Sequence, residues 1–137
     1  MGEFKKLFEA YGGDYQATMA RFLDNEAMYL KFLPKLFQDD NLQKLGDALD
    51  AGNLSDAFSA AHTLKGLTGN LGLTPLYDSI RAIVEPLRQN KAAETNEAYD
   101  AKANKSDKAA DYSTMYRNIK AEYQRVVELW QRYKGEE

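Results

Sequence analysis

The chain has 137 residues, a formal net charge of −3, no cysteine and a single histidine. That length suggests one domain spanning 1–137, able to bury roughly two-thirds of the surface its unfolded form exposes. The composition excludes disulfides and thiolate metal sites, offers no apolar run near the roughly 20 residues of a membrane helix, and lacks the basic excess that nucleic-acid binding wants.

Near the N-terminus, Glu3, Lys5, Lys6 and Glu9 alternate with apolar residues, unlike a signal peptide. The expectation is a soluble cytoplasmic domain with neither membrane nor nucleic acid as partner.

Apolar residues recur at helical spacing throughout, and no segment alternates like a strand. Phe4, Leu7, Phe8 and Tyr11 form a short helix face that Gly12-Gly13 stops. Asp14 can cap a second segment carrying Tyr15, Met19 and Phe22. Asp24 or Asn25 starts a third, with Tyr29, Leu30, Leu33, Leu36 and Phe37 on one stripe. Pro34 lies inside that segment and is expected to kink it, since proline removes a backbone donor and crowds the preceding turn. Leu42, Leu45 and Leu49 mark another short helix, closed by Gly52.

The central helix is predicted to begin at Asn53, with Asp56 three residues on as a capping-box relative. Its apolar stripe is Leu54, Ala57, Phe58, Ala61, Leu64, Thr68 and Leu71, and Gly72 follows as terminator. Thr74-Pro75 restarts a helix bearing Leu76, Ile80, Ile83 and Leu87, expected to bend or end at Pro86 and to reach about Arg88. From Lys91 to Lys108 the sequence thins to Ala, Asn, Lys, Glu and Asp, and a long, mobile inter-helix connection, with room for nascent helix, is expected there. A last helix presents Tyr112, Met115, Ile119, Val126, Trp130 and Tyr133, flanked by Tyr116, Tyr123 and Val127. The short turns at Gly52 and Gly72 imply antiparallel neighbours. The predicted fold is all-α: an antiparallel up-and-down four-helix bundle with short additional N-terminal helices.

The chemistry concentrates at His62. Its helix has an apolar stripe centred near Ala61 and Thr68, which puts His62 about 120° from that centre and toward solvent. Along the same strip lie Ser55, Ser59, Gly66 and Gly69, all small. Each internal helical glycine costs about 1 kcal/mol relative to alanine, so two beside the one histidine suggest a need for space. Lys65 sits on the adjacent strip, where its ammonium can compensate negative charge. A neutral imidazole is a nucleophile near neutral pH and can hold a phosphoryl group in a labile P–N bond. Taken singly, each feature has a plain reading: an inert surface histidine, glycines for close helix packing, a solvated lysine. Together in one patch they point to phosphoryl transfer.

Ala61-His62-Thr63-Leu64-Lys65-Gly66, followed by Asn70-Leu71-Gly72-Leu73, resembles the signature of histidine-containing phosphotransfer (HPt) domains. The helix order is similar to that family over about Gly2 to Lys134. The resemblance implies that His62 is the phosphorylated residue, that Lys65 assists charge, and that Gly66 keeps the approach clear. Ser55, Ser59, Thr63 and Gly69 become candidates for docking a partner. It also implies a carrier without kinase activity of its own and without a cofactor, since the divalent metal belongs to the partner. Its partners would be receiver domains of response regulators and of a hybrid histidine kinase. One departure stands out: several family members place a glutamine 22 residues after the histidine, hydrogen-bonded to the imidazole, and here that position is Val84.

No Gly-rich phosphate loop or kinase-like nucleotide signature occurs, and His62 has no Cys or second His with which to share a metal. Asp39, Asp40, Asp47 and Asp50 read as a solvated acidic helix end, and Tyr77, Arg81 and Arg88 as one flank of the helix after Gly72. The competing reading is a helical adaptor that binds a signalling partner without chemistry; a third is the phosphoacceptor module of a larger kinase. The start at Met1 and the charged Lys134-Gly135-Glu136-Glu137 end favour a free-standing protein, and a monomer is expected.

Overall fold

The computed structural model describes residues 2–94 and 101–135, and side chains outside 91–111. The order is α1 (Glu3–Tyr11), α2 (Tyr15–Ala20), α3 (Glu26–Phe32), α4 (Lys35–Gln38), α5 (Asn41–Ala51), α6 (Leu54–Asn70), α7 (Thr74–Glu94) and α8 (Ala101–Lys134), with no strand among the described residues.

Local chemistry sets most of these boundaries. The side chains of Asp14, Asn25 and Asn53 each accept the backbone N–H three residues on, at 3.0 Å, satisfying a donor that the first helical turn leaves open. The Asn53 side-chain amide also donates to Asp56 Oδ2 at 2.8 Å, a side-chain relative of the capping box, whose reciprocal bond would use the Asn53 backbone N–H. Gly72 stands after α6 for two reasons. Its φ of +69° is left-handed, and an added Cβ would lie 2.0 Å from Thr18 Oγ1.

Two expectations need correction. Pro34 breaks its helix rather than kinking it: α3 stops at Phe32 and α4 restarts at Lys35, because the proline ring conflicts with the carbonyl four residues back. Pro86, by contrast, does not end its helix: α7 runs through it to Glu94, beyond the expected limit near Arg88. Ile83, Val84 and Leu87 are fully buried around that proline, and their burial outweighs the roughly 3 kcal/mol that an internal proline costs. In the stretch expected as a connection, 91–108, the described backbone is helical to Glu94 and from Ala101, where Ala, Glu and Lys are strong helix formers. Residues 95–100 lie outside the described residues.

Helix α6 packs on α5 and α7, α7 on α8, and α8 on α5, so these four surround one apolar core. Leu45, Ala57, Ala61, Leu64, Leu76, Ile80, Ile83, Leu87, Ile119 and Val126 fill it. Asn90 is buried between α7 and α8 and donates its amide to the Tyr112 hydroxyl. The short N-terminal helices add an aromatic cluster. Phe4 meets Phe8 and Tyr133, each at 5.5 Å between ring centroids, and Phe22 packs edge-on against Tyr29 at 5.0 Å.

This N-terminal layer grips the α6–α7 turn. Tyr29 Oη donates to the Leu71 carbonyl at 2.6 Å, and the Leu76 N–H donates to Tyr11 Oη at 3.1 Å. Arg21 donates from Nη2 to the Gly69 carbonyl at 3.0 Å and from Nε to the Asn70 carbonyl at 3.4 Å. Those carbonyls belong to the last turn of α6, where intrahelical partners run out; that of Gly69 also accepts the Gly72 N–H at 3.1 Å. Among the described residues, no buried side-chain polar atom lacks a partner.

Candidate functional site

Helix α6 buries Ala57, Ala60, Ala61, Leu64 and Thr68, and its opposite side is open. His62 is exposed there, as its angular distance from the buried stripe requires. It lines a surface groove of about 710 Å³ with Lys65, Gly66 and Gly69 from α6, Arg21 from the α2 end, and Thr74, Tyr77 and Asp78 from α7. The groove follows the C-terminal half of α6 toward the Gly72 turn.

The two glycines beside His62 serve different ends. A Cβ built on Gly66 meets nothing within 4 Å, so no packing inside the molecule requires a glycine there. A Cβ on Gly69 would meet the Tyr77 ring at 3.0 and 3.2 Å. Gly69 therefore permits α7 to bring Tyr77 close to α6, whereas Gly66 leaves an opening in front of the helix. Lys65 is half-buried and borders the same groove.

The remaining docking candidates separate from this group. Ser59 and Thr63 are exposed but line a second groove of about 450 Å³ between α5 and α6, with Asn41, Lys44, Asp47 and Asp56. Ser55 is exposed and borders neither groove. Thr63 is about 100° around the helix from His62, which accounts for its turning to the other flank.

The strip around His62 is not uniformly small. Phe58, one turn earlier on α6, is half-buried and lies against the imidazole, with ring centroids 5.5 Å apart and planes 21° from parallel. Arg88 of α7 holds its guanidinium carbon 5.1 Å from the centre of the Phe58 ring, and its Nε is 3.5 Å from Glu85 Oε1. Phe58 packs against the core, as its place on the apolar stripe of α6 requires, and also reaches His62. Its spacing of four from His62 is the signal that identifies it as a lateral neighbour. Val84 is fully buried and contributes nothing to the imidazole.

The acidic residues behave as caps and surface pairs. Asp39 Oδ1 accepts from the backbone and side-chain nitrogens of Asn41 at 2.8 and 2.9 Å, and Lys44 stands 3.5 Å from Asp40. Among the described residues, no three His, Cys, Asp or Glu side chains gather into a metal-holding group. No helix among them is long and apolar enough to cross a membrane.

An exposed nucleophile beside a half-buried cation, with an unobstructed glycine one turn on, can receive a phosphoryl group from a protein that approaches closely. The comparisons agree. A family model described as Hpt domain matches residues 27–128, and the chain belongs to that family. The matched span begins inside α3 and ends inside α8, leaving α1 and α2 outside it. No curated protein and no solved structure matches the chain. Membership implies histidine phosphotransfer in a two-component phosphorelay through contact with receiver domains, by a carrier without intrinsic kinase activity.

Proposed function

We propose that this Hpt domain is a relay intermediate that accepts a phosphoryl group on His62 from one receiver-domain aspartate and passes it to another. A ring nitrogen of the neutral imidazole attacks the phosphorus of an aspartyl phosphate. The P–N bond forms as the P–O bond to the carboxylate breaks, and the carboxylate leaves with the electron pair. The second step reverses the first: another aspartate attacks phosphorus, and the imidazole recovers its lone pair. Lys65 compensates charge on the moving phosphoryl group, and Gly66 lets the partner's loops come within reach. Gly69, Ser55, Ser59 and Thr63 are assigned to the rim that the partner covers. The donor is a receiver attached to a hybrid histidine kinase, and the acceptor is the receiver of a response regulator. We place the protein in the cytoplasm as a monomer that needs no cofactor of its own.

The observation that carries this reading is an exposed His62 in an open groove, one turn from a glycine whose added Cβ would meet no other side chain within 4 Å. The test mixes purified protein with a panel of receiver domains charged with acetyl phosphate. Acid-labile phosphate on the parent protein, none on His62→Gln, and no ATP consumption by the protein alone are the expected results. A folded His62→Gln that still takes label would end the assignment. A stable complex that never labels, and that forms equally well with His62→Ala, would make the chain an adaptor.

A further inference from the structure

We infer that Phe58 is the positioning residue for His62, holding the imidazole by its face where Val84 offers no hydrogen bond to hold it by its edge. The inference rests on the phosphocarrier reading above and names how the carrier's nucleophile is aimed.

An imidazole on an open helix surface can swing among staggered χ1 wells, and χ2 is broad. Most of those orientations point neither ring nitrogen at an incoming phosphorus. The usual remedy is a hydrogen bond to one nitrogen, which fixes the ring and its tautomer. At 22 residues past His62 this chain has Val84, fully buried and apolar. What touches the imidazole is the Phe58 ring, 5.5 Å away and 21° from parallel.

A stack is suited to this task. The lone pair that attacks phosphorus lies in the plane of the imidazole, whereas the contact with Phe58 covers a face. The ring is therefore restrained without blocking the edge that reacts. Centroids 4.5–7 Å apart with an offset are the favourable arrangement for two aromatic rings.

Phe58 is itself held. Helix α6 supplies its backbone, and α7 supplies Arg88, whose guanidinium lies over the Phe58 ring while pairing with Glu85. Guanidinium over an aromatic face is attractive. Helix α7 thus reaches the nucleophile through two intermediaries, Arg88 and then Phe58, instead of through a side chain at the Val84 position.

The test uses the full chain with Phe58→Leu, which keeps an apolar side chain but removes the aromatic face, and Phe58→Tyr, which restores it. His62 is the one histidine, so its imidazole proton resonances are unambiguous. The parent and Phe58→Tyr should show upfield ring-current shifts on those protons, and Phe58→Leu should lose them. With a receiver charged by acetyl phosphate, Phe58→Leu should lower the maximal transfer rate roughly three- to tenfold, as the imidazole spreads over other rotamers. The half-saturating receiver concentration should hardly change, and Phe58→Tyr should recover the rate. A parent spectrum without the shift would overturn the inference. So would a Phe58→Leu protein that loses the shift yet transfers at the parent rate, which would leave the carrier reading intact. A Phe58-dependent shift in a parent protein that no receiver labels would sink the carrier reading, and the positioning role with it.

Discussion

Tyr29 in α3 donates its hydroxyl to the Leu71 carbonyl at 2.6 Å, linking residues 42 apart in sequence, and the Tyr29 ring is fully buried. Leu71 follows the last turn of α6, nine residues after His62. Together with Arg21 on the Gly69 and Asn70 carbonyls, this bond ties the N-terminal layer to the end of the helix that carries the nucleophile. The short α1–α3 helices are therefore part of what fixes the α6–α7 turn and the lower wall of the His62 groove.

Tyr29→Phe should keep the ring packing and lose only that bond. A buried carbonyl deprived of its donor costs about 1–3 kcal/mol. Urea denaturation should show a lower midpoint with an unchanged slope. A midpoint equal to the parent's would mean that the bond contributes nothing to holding the turn.

The tyrosines also make stability depend on alkaline pH. Burial pushes the Tyr29 and Tyr11 hydroxyls well above the usual phenol range. Tyr15 is pushed up to about 12, chiefly by its hydrogen bond to Glu26. Each of these groups holds its proton more tightly folded than unfolded. The resulting stability is fully present below about pH 10 and is lost as pH climbs through the raised folded values. Denaturation midpoints should fall from about pH 10 upward, and less steeply in Tyr29→Phe, which has one such phenol fewer. A midpoint flat across that range would contradict the buried-phenol account.

Much of this was legible in the chain itself, because it depended on neighbours in sequence. Asp14, Asn25 and Asn53 cap the helices they precede, Gly12, Gly52 and Gly72 follow the helices they end, and the outward turn of His62 follows from a 100° step per residue. What stayed hidden depended on contacts between distant segments. Nothing local says that Arg21 will meet carbonyls 48 and 49 residues on, or that Arg88 of α7 will lie over the Phe58 ring beside His62. The passage of α7 through Pro86 has the same origin: a local helix breaker was overruled by apolar residues that α6 and α8 bury.

Lys65→Ala should slow transfer without abolishing it. Lys65 is half-buried and borders an open groove, so the attraction of its ammonium to a phosphoryl group is partly screened. A charge pair in such a place is worth up to about 1 kcal/mol, or roughly fivefold in rate. Raising the salt should shrink the difference between variant and parent. Equal rates at low salt would remove the charge role.

The two glycines after His62 give the sharpest contrast, because only one of them has a reason inside the molecule. Gly66→Ala adds a methyl into open space and should stabilise the protein by up to about 1 kcal/mol, the helix-propensity gain. Gly69→Ala presses its methyl on the Tyr77 ring at 3.0 and 3.2 Å, so the ring must give by a few tenths of an ångström. It should gain less, or lose stability. Function should rank them the other way. Gly66→Gln should fold as well as the parent yet accept phosphate from a charged receiver at least about tenfold more slowly, because the longer side chain occupies the partner's approach. A glycine that costs stability where no intramolecular contact demands it is explained by what must come near from outside. If Gly66→Gln transfers at the parent rate, that explanation fails, and the opening in front of α6 has no part in the relay.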